Sequence, residues 1–167
     1  VLADGGRRLQ WLVIEPGDTS LSVPVAGGSS YRPEPKGPII PEPPPGLKPE
    51  HVRALIDHDD PLVAAQAGYL LALTGDAAGL EPLVRFWRGH TDAPDETLAQ
   101  YETGDFDRLV YRAIAVLNDS SRIDVLRAIR KSLSRYELAE FYWTIRIMSG
   151  PEVLQLRKEI RDELGPS

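Results

Sequence analysis

Residues Ala54–Trp87 read ALIDHDDPLVAAQAGYLLALTGDAAGLEPLVRFW, and their punctuation decides the fold class. Asp60-Pro61 is a helix start: Asp offers a carboxylate to the free backbone N–H groups, and Pro tolerates the first helical position. The segment that follows carries Leu62, Val63, Ala67, Leu70 and Leu71 at helical spacing. Gly75 then supplies a stop, and Asp76 caps a further helix with Leu80, Leu83, Val84 and Trp87 in register. Ala64, Ala65, Ala67, Gly68 and Ala72 are small enough to let neighbouring helices approach closely.

Outward from this stretch, the same grammar continues toward the C-terminus. A helix over Asp105–Leu117 carries the stripe Phe106, Leu109, Val110, Ala113, Ile114 and Leu117. The turn Asn118-Asp119-Ser120-Ser121 opens another, with Ile123, Leu126, Ile129 and Leu133. A sixth helix, from about Arg135 to Met148, places Leu138, Phe141, Tyr142 and Ile145 on one side and Trp143 and Ile147 on another. Such a distribution predicts a central helix packed on both sides. Ser149-Gly150-Pro151 punctuates, and a last amphipathic helix runs to Leu164 with Val153, Leu156, Ile160 and Leu164 inward. On the other side, Pro49 starts a first helix running to about Asp57.

Asp60-Pro61-Leu62-Val63 through Gly75-Asp76-Ala77-Ala78-Gly79-Leu80 has a partial echo in Asp107-Arg108-Leu109-Val110 through Asp119-Ser120-Ser121-Arg122-Ile123. This pattern resembles the HEAT-repeat family in its short bacterial form, the PBS-lyase-type helical repeat. The likeness covers about two thirds of the chain: a good first unit, a partial second, and a third (137–164) that matches only in helix lengths. The stretch from Gly89 to Gly104 departs from a tight repeat, apart from one expected short helix around Asp95 to Tyr101. The resemblance implies an all-α fold, a right-handed α-solenoid of about three HEAT-like helix pairs spanning residues 49–167, and a protein-binding role. Stacked helix pairs expose a concave surface usually lined by the second helix of each pair. On that basis Tyr69, Arg108, Arg112, Tyr142 and Arg146 are the contact candidates, Tyr and Arg being frequent binding anchors.

Upstream, residues 1–26 read as a β-hairpin segment, with Leu9, Trp11 and Val13 alternating against Leu21, Val23 and Val25 around Glu15-Pro16-Gly17-Asp18. An isolated hairpin is marginal in water, so that segment is expected either to be the trailing edge of an upstream domain, the favoured reading, or to pack on something within this chain. Residues 27–48 form a Pro/Gly-rich linker, since eight of the fifteen prolines lie between Pro33 and Pro49. They make a semi-rigid spacer or a strap over the helices. Arg32-x-x-Pro35-x-x-Pro38 has the spacing of an SH3 ligand, which Pro-rich spacers also reach by accident. The chain opens at Val1 rather than Met, which points to a processed or fragmentary start.

The net charge of -6 is unevenly spread. Residues 51–105 carry ten acidic and three basic side chains, and residues 106–167 nine acidic and eleven basic. That balance argues against a general nucleic-acid binder. Arg127, Arg130 and Lys131 form a local basic patch, read first as the wet face of an amphipathic helix and, alternatively, as a contact for an acidic partner, RNA or DNA. No cysteine is present, which excludes thiolate catalysis and disulfide scaffolds. No apolar run reaches the length of a membrane span. His51 and His58 beside Asp57, Asp59 and Asp60 have the chemistry of a metal site, but Asp60 is already needed as a cap. The acidic residues Asp92, Asp95, Glu96, Glu102 and Asp105 lack the alternation of an EF-hand. Asn118-Asp119-Ser120 is formally a glycosylation sequon in an interhelical turn. The expectation is therefore a non-catalytic protein-interaction or scaffolding module with no metal or cofactor. The alternatives are a regulatory or substrate-positioning domain of an upstream enzyme, and nucleic-acid binding through the basic patch.

Overall fold

Three aspartates start helical segments by the same device. Asp60, Asp76 and Asp119 each turn a carboxylate oxygen back to accept the N–H two residues on, from Leu62 at 2.9 Å, Ala78 at 3.0 Å and Ser121 at 3.1 Å. The structure, a computed structural model, describes residues 41–90 and 103–165. Seven α-helices account for most of them: α1 Pro49–Arg53, α2 Pro61–Leu73, α3 Leu80–His90, α4 Thr103–Val116, α5 Ile123–Arg130, α6 Arg135–Ile145 and α7 Pro151–Leu164. No strand occurs among the described residues, so this part of the chain is all-α. The expected β-hairpin of residues 1–26, most of the linker and the short helix near 95–101 lie outside them.

Two of the helix ends are closed by identical bonding. At the end of α2, Asp76 N–H donates to the Leu71 carbonyl and Gly75 N–H to that of Ala72, with Gly75 at φ +88°. At the end of α4, Asp119 donates to Ile114 and Asn118 to Ala115, with Asn118 at φ +51°. Both are Schellman closures, and in both the next residue caps a single 3-10 turn, Ala77–Gly79 or Ser120–Arg122, that feeds the following helix. The likeness read between the two sequence stretches is thus a likeness of backbone. The α6–α7 turn is built differently, on Gly150 at φ +115° ahead of Pro151.

The helices fall into two layers. α2 packs on α4 and α4 on α6, while α3, α5 and α7 lie against them and follow one another on the second side. Ion pairs stitch that second side: Arg122 to Glu81 at 2.8 Å, Arg88 to Asp124 at 3.0 Å, and Arg127 and Arg130 to Glu159 at 3.0 and 2.7 Å. At one rim the turns touch, since the Asn118 side chain accepts from Ser149 N–H at 2.9 Å and donates to its hydroxyl at 3.0 Å.

The central helix is α2, not α6. Every residue from Ala64 to Leu73 is buried, because α1, α3 and α4 surround it. Its small residues make this possible: a side chain at Gly68 would collide with the Gly79 carbonyl, and one at Gly79 with that of Gly68. On α6 only one side is sealed. Phe141 and Ile145 are fully buried, but Tyr142, Trp143 and Ile147 are half-buried, which corrects the expectation of packing on both sides. α1 is also shorter than expected, ending at Arg53 before a run of turns to Asp57. The end of the linker forms a turn, Leu47 N–H to the Pro44 carbonyl at 3.1 Å with Gly46 at φ +77°. Pro41 is buried and Leu47 packs on the core, while Glu42, Pro43, Pro45, Gly46 and Lys48 are exposed. No helix among the described residues is long and apolar enough to cross a membrane.

Candidate interaction surface

The five contact candidates separate into two groups. Tyr69 lies in the buried run of α2, fully covered, and cannot serve as a surface anchor as the fold stands. Arg112 is buried and Arg108 largely so, because both reach from α4 to one carboxylate on α6. These are corrections to the sequence reading. A helix inside a layer turns its polar residues toward its neighbour, not into an open groove.

That carboxylate is Glu140. One of its oxygens accepts from Arg112 Nη2 at 2.8 Å, from Arg108 Nε at 3.1 Å and from the Tyr111 hydroxyl at 3.3 Å. Tyr111 in turn meets Phe141 edge-on at 5.0 Å. Burial, and then the neighbouring carboxylate, pushes the Tyr111 phenol far above its ordinary range. A buried carboxylate between two guanidinium groups is a structural clamp, since its charge is balanced where little water reaches it. It joins α4 to α6.

A second polar bridge runs through Asp107, which accepts from Trp87 Nε1 at 2.6 Å and from the Ser132 hydroxyl at 2.8 Å. It ties α3, α4 and the α5–α6 loop together. Burial raises the pKa of Asp107, the two hydrogen bonds oppose the rise, and the charge of Glu137 adds to it.

The basic patch is also reassigned in part. Arg127 and Arg130 are not a free wet face. Arg127 binds Glu159, and Arg130 binds both Glu159 and Glu163, the latter at 2.8 Å. Hydrogen bonding to Glu163 holds the Arg130 guanidinium above its usual range, and bonding to Arg127 draws Glu159 below the usual carboxylate range. Lys131 alone of the three stands exposed in solvent.

Tyr142 and Arg146 keep the accessibility expected of contacts. Arg146 is exposed and stacks its guanidinium 4.6 Å above the Trp143 ring, and Trp143 meets Tyr142 edge-on at 5.7 Å. On α7, Leu154 is 55% exposed, the one large hydrophobic residue so placed among the described residues. Trp143, Leu154, Glu140 and Asp107 were absent from the sequence-based candidates. Glu140 had a local signal, a carboxylate set inside the apolar stretch Leu138–Phe141.

Elsewhere, an open groove of about 440 Å³ lies between the α1–α2 turn and α3, with Ile56, Pro61 and Phe86 as walls and His58 and Arg85 at the rim. His58 Nδ1 accepts from Asp60 N–H at 3.0 Å and so belongs to the helix start. Among the described residues no group of three or more His, Asp or Glu side chains is arranged to hold a metal ion. The acidic residues between 92 and 102 lie outside them. Comparison of the chain with models of known protein families, with characterised proteins and with solved structures found no match in any of the three.

Proposed function

We propose that α2–α3, α4–α5 and α6–α7 are three HEAT-like helix pairs stacked as a short right-handed solenoid, and that the domain is a non-catalytic protein-interaction or scaffolding module of a larger protein. The observation that carries this reading is the repeated closure at Gly75-Asp76 and Asn118-Asp119, the same two backbone bonds, positive φ and Asp cap each time. A repeated supersecondary unit whose buried polar clusters join neighbouring helices is suited to presenting a surface. The Glu140 and Asp107 clusters are of that kind. The reading of nucleic-acid binding loses weight because Arg127 and Arg130 are engaged with carboxylates of α7.

Site-specific photo-crosslinking tests this. A benzophenone side chain is placed in turn at the exposed positions Leu154, Asp124, Arg85 and Lys131, in cells that make the full protein. A discrete protein adduct from at least one position is expected. Failure of every position, with the protein folded, would remove the scaffold reading.

A further inference from the structure

The helical faces on α6 and α7 are fixed by what they bind. On α6, Glu140 turns to α4, and Leu138, Phe141 and Ile145 turn to the core. On α7, Glu159 turns to α5, and Val153, Leu156 and Ile160 turn to the core. Helical spacing then leaves Tyr142 and Arg146 of α6, and Leu154, Arg157 and Arg161 of α7, on the flank away from α4 and α5. The two flanks adjoin because α6 and α7 are antiparallel partners, Arg135 at the start of α6 bonding the Leu164 carbonyl at the end of α7 at 2.6 Å.

The charge on this flank is unspent. Other arginines of the C-terminal half are consumed internally: Arg108 and Arg112 by Glu140, Arg122 by Glu81, Arg127 and Arg130 by Glu159 and Glu163. Among the described residues neither Arg157 nor Arg161 has a carboxylate within ion-pair distance, and Arg146 rests on an aromatic ring. Arg157 holds its Nε donor buried with no acceptor among them. Arginine on such a surface matches carboxylates, which it engages through two parallel bonds. The aromatic pair and Leu154 add apolar area that immobilises few rotatable bonds.

We propose that the flank formed by Tyr142 and Arg146 with Leu154, Arg157 and Arg161, edged by Trp143 against Tyr142, binds an acidic peptide segment of a partner protein, with carboxylates on the arginines and an apolar side chain against Leu154 and the aromatic pair. This rests on the scaffold reading and adds the chemistry of the partner. A nucleic acid fits less well. The half of the chain before Phe106 is strongly acidic, which repels a long polyanion reaching beyond this flank.

The test is a display selection of random twelve-residue peptides on the full chain, followed by fluorescence anisotropy with the most enriched peptide, a 20-nucleotide oligouridylate, and sedimentation of the protein alone. Enriched peptides are expected to carry Asp or Glu around a Leu, Phe or Trp. Their affinity should fall by at least about tenfold in Arg157→Glu/Arg161→Glu and in Leu154→Asp, fall further with added salt, and stay unchanged in Arg85→Glu. All of these positions but Arg157 are exposed, so a variant with Arg161→Glu alone keeps the test sound if the double variant unfolds. No enrichment, enrichment without acidic residues, tighter binding of the oligonucleotide, or self-association through this flank would each overturn the proposal. The scaffold reading is tested apart from it. Crosslinks from Asp124 or Arg85 but none from Leu154 would keep the module and discard this flank.

Discussion

Glycine to alanine is the smallest substitution that can test the packing of α2, because two opposed effects compete at known positions. In a helix interior, Ala is favoured over Gly by about 1 kcal/mol. At Gly68 the new methyl group would collide with the Gly79 carbonyl and lie 3.0 Å from Pro82 Cγ. A backbone oxygen cannot swing aside as a side chain can, so the 3-10 turn must move away from α2. Overpacking of that kind costs about 1–3 kcal/mol or more, which outweighs the propensity gain. Gly68→Ala is therefore expected to destabilise by about 1–2 kcal/mol net. Gly79→Ala is expected to lose about 3 kcal/mol, since its methyl group meets the Gly68 carbonyl and stands 2.8 Å from Ala72 N, with little helix propensity to offset it. Gly89 on α3 is the control: nothing among the described residues lies within 4 Å of its added Cβ. Gly89→Ala should be neutral or stabilise by about 0.5 kcal/mol. Thermal melts followed by circular dichroism resolve these differences, at about 2–4 °C per kcal/mol for a chain of this size. If Gly68→Ala raised the melting temperature as Gly89→Ala does, the close approach of α2 to the Ala77–Gly79 turn would be wrong, and with it the central place of α2.

Glu140→Leu should cost about 3–5 kcal/mol by removing the buried carboxylate that Arg112 and Arg108 share, and Arg112→Met added to it should restore part of the loss, as read from urea midpoints. Phe141→Ala should cost about 3–5 kcal/mol, whereas Arg130→Ala should cost about 0.5–1 kcal/mol, its partners Glu159 and Glu163 being partly in water. Asp107 holds its proton to higher pH in the folded than in the unfolded chain, so its contribution to stability falls as pH rises from the ordinary carboxylate range through its raised value. Asp107→Asn keeps an acceptor for Trp87 and should remove that slope; an identical difference from the parent at every pH would refute the assignment.

How much of this was legible in the sequence depended on how local the cause was. Asp60-Pro61, Gly75-Asp76 and Asn118-Asp119 each act within five residues, and the sequence located all three turns correctly. The stripe on α4 was also legible, because a helix that packs on others repeats its apolar residues at its own period. Arg108 and Arg112 looked like exposed anchors, since no spacing within α4 points to the carboxylate of α6 that they reach. Their partner Glu140 lies on another helix and becomes visible only when α4 meets α6. The same holds for Arg127 and Arg130, whose carboxylates come from α7.

The misreading of α6 has a more general cause. Periodicity reports how much of a helix is apolar, while its neighbours decide how much is covered. α2 is surrounded because alanine and glycine let three helices come near, so its small side chains bury more completely than the larger ones of α6. Tyr142 and Trp143 are large, and each combines an apolar body with a polar edge, which suits them to a surface reached by water on one side. Arg146, one turn from Tyr142, covers Trp143 with a guanidinium rather than with another helix. A cation stacked on an aromatic ring shields it without sealing it. The residues that looked most like core are therefore those that an incoming partner can still reach, and the flank beside Leu154 is where binding can be sought first.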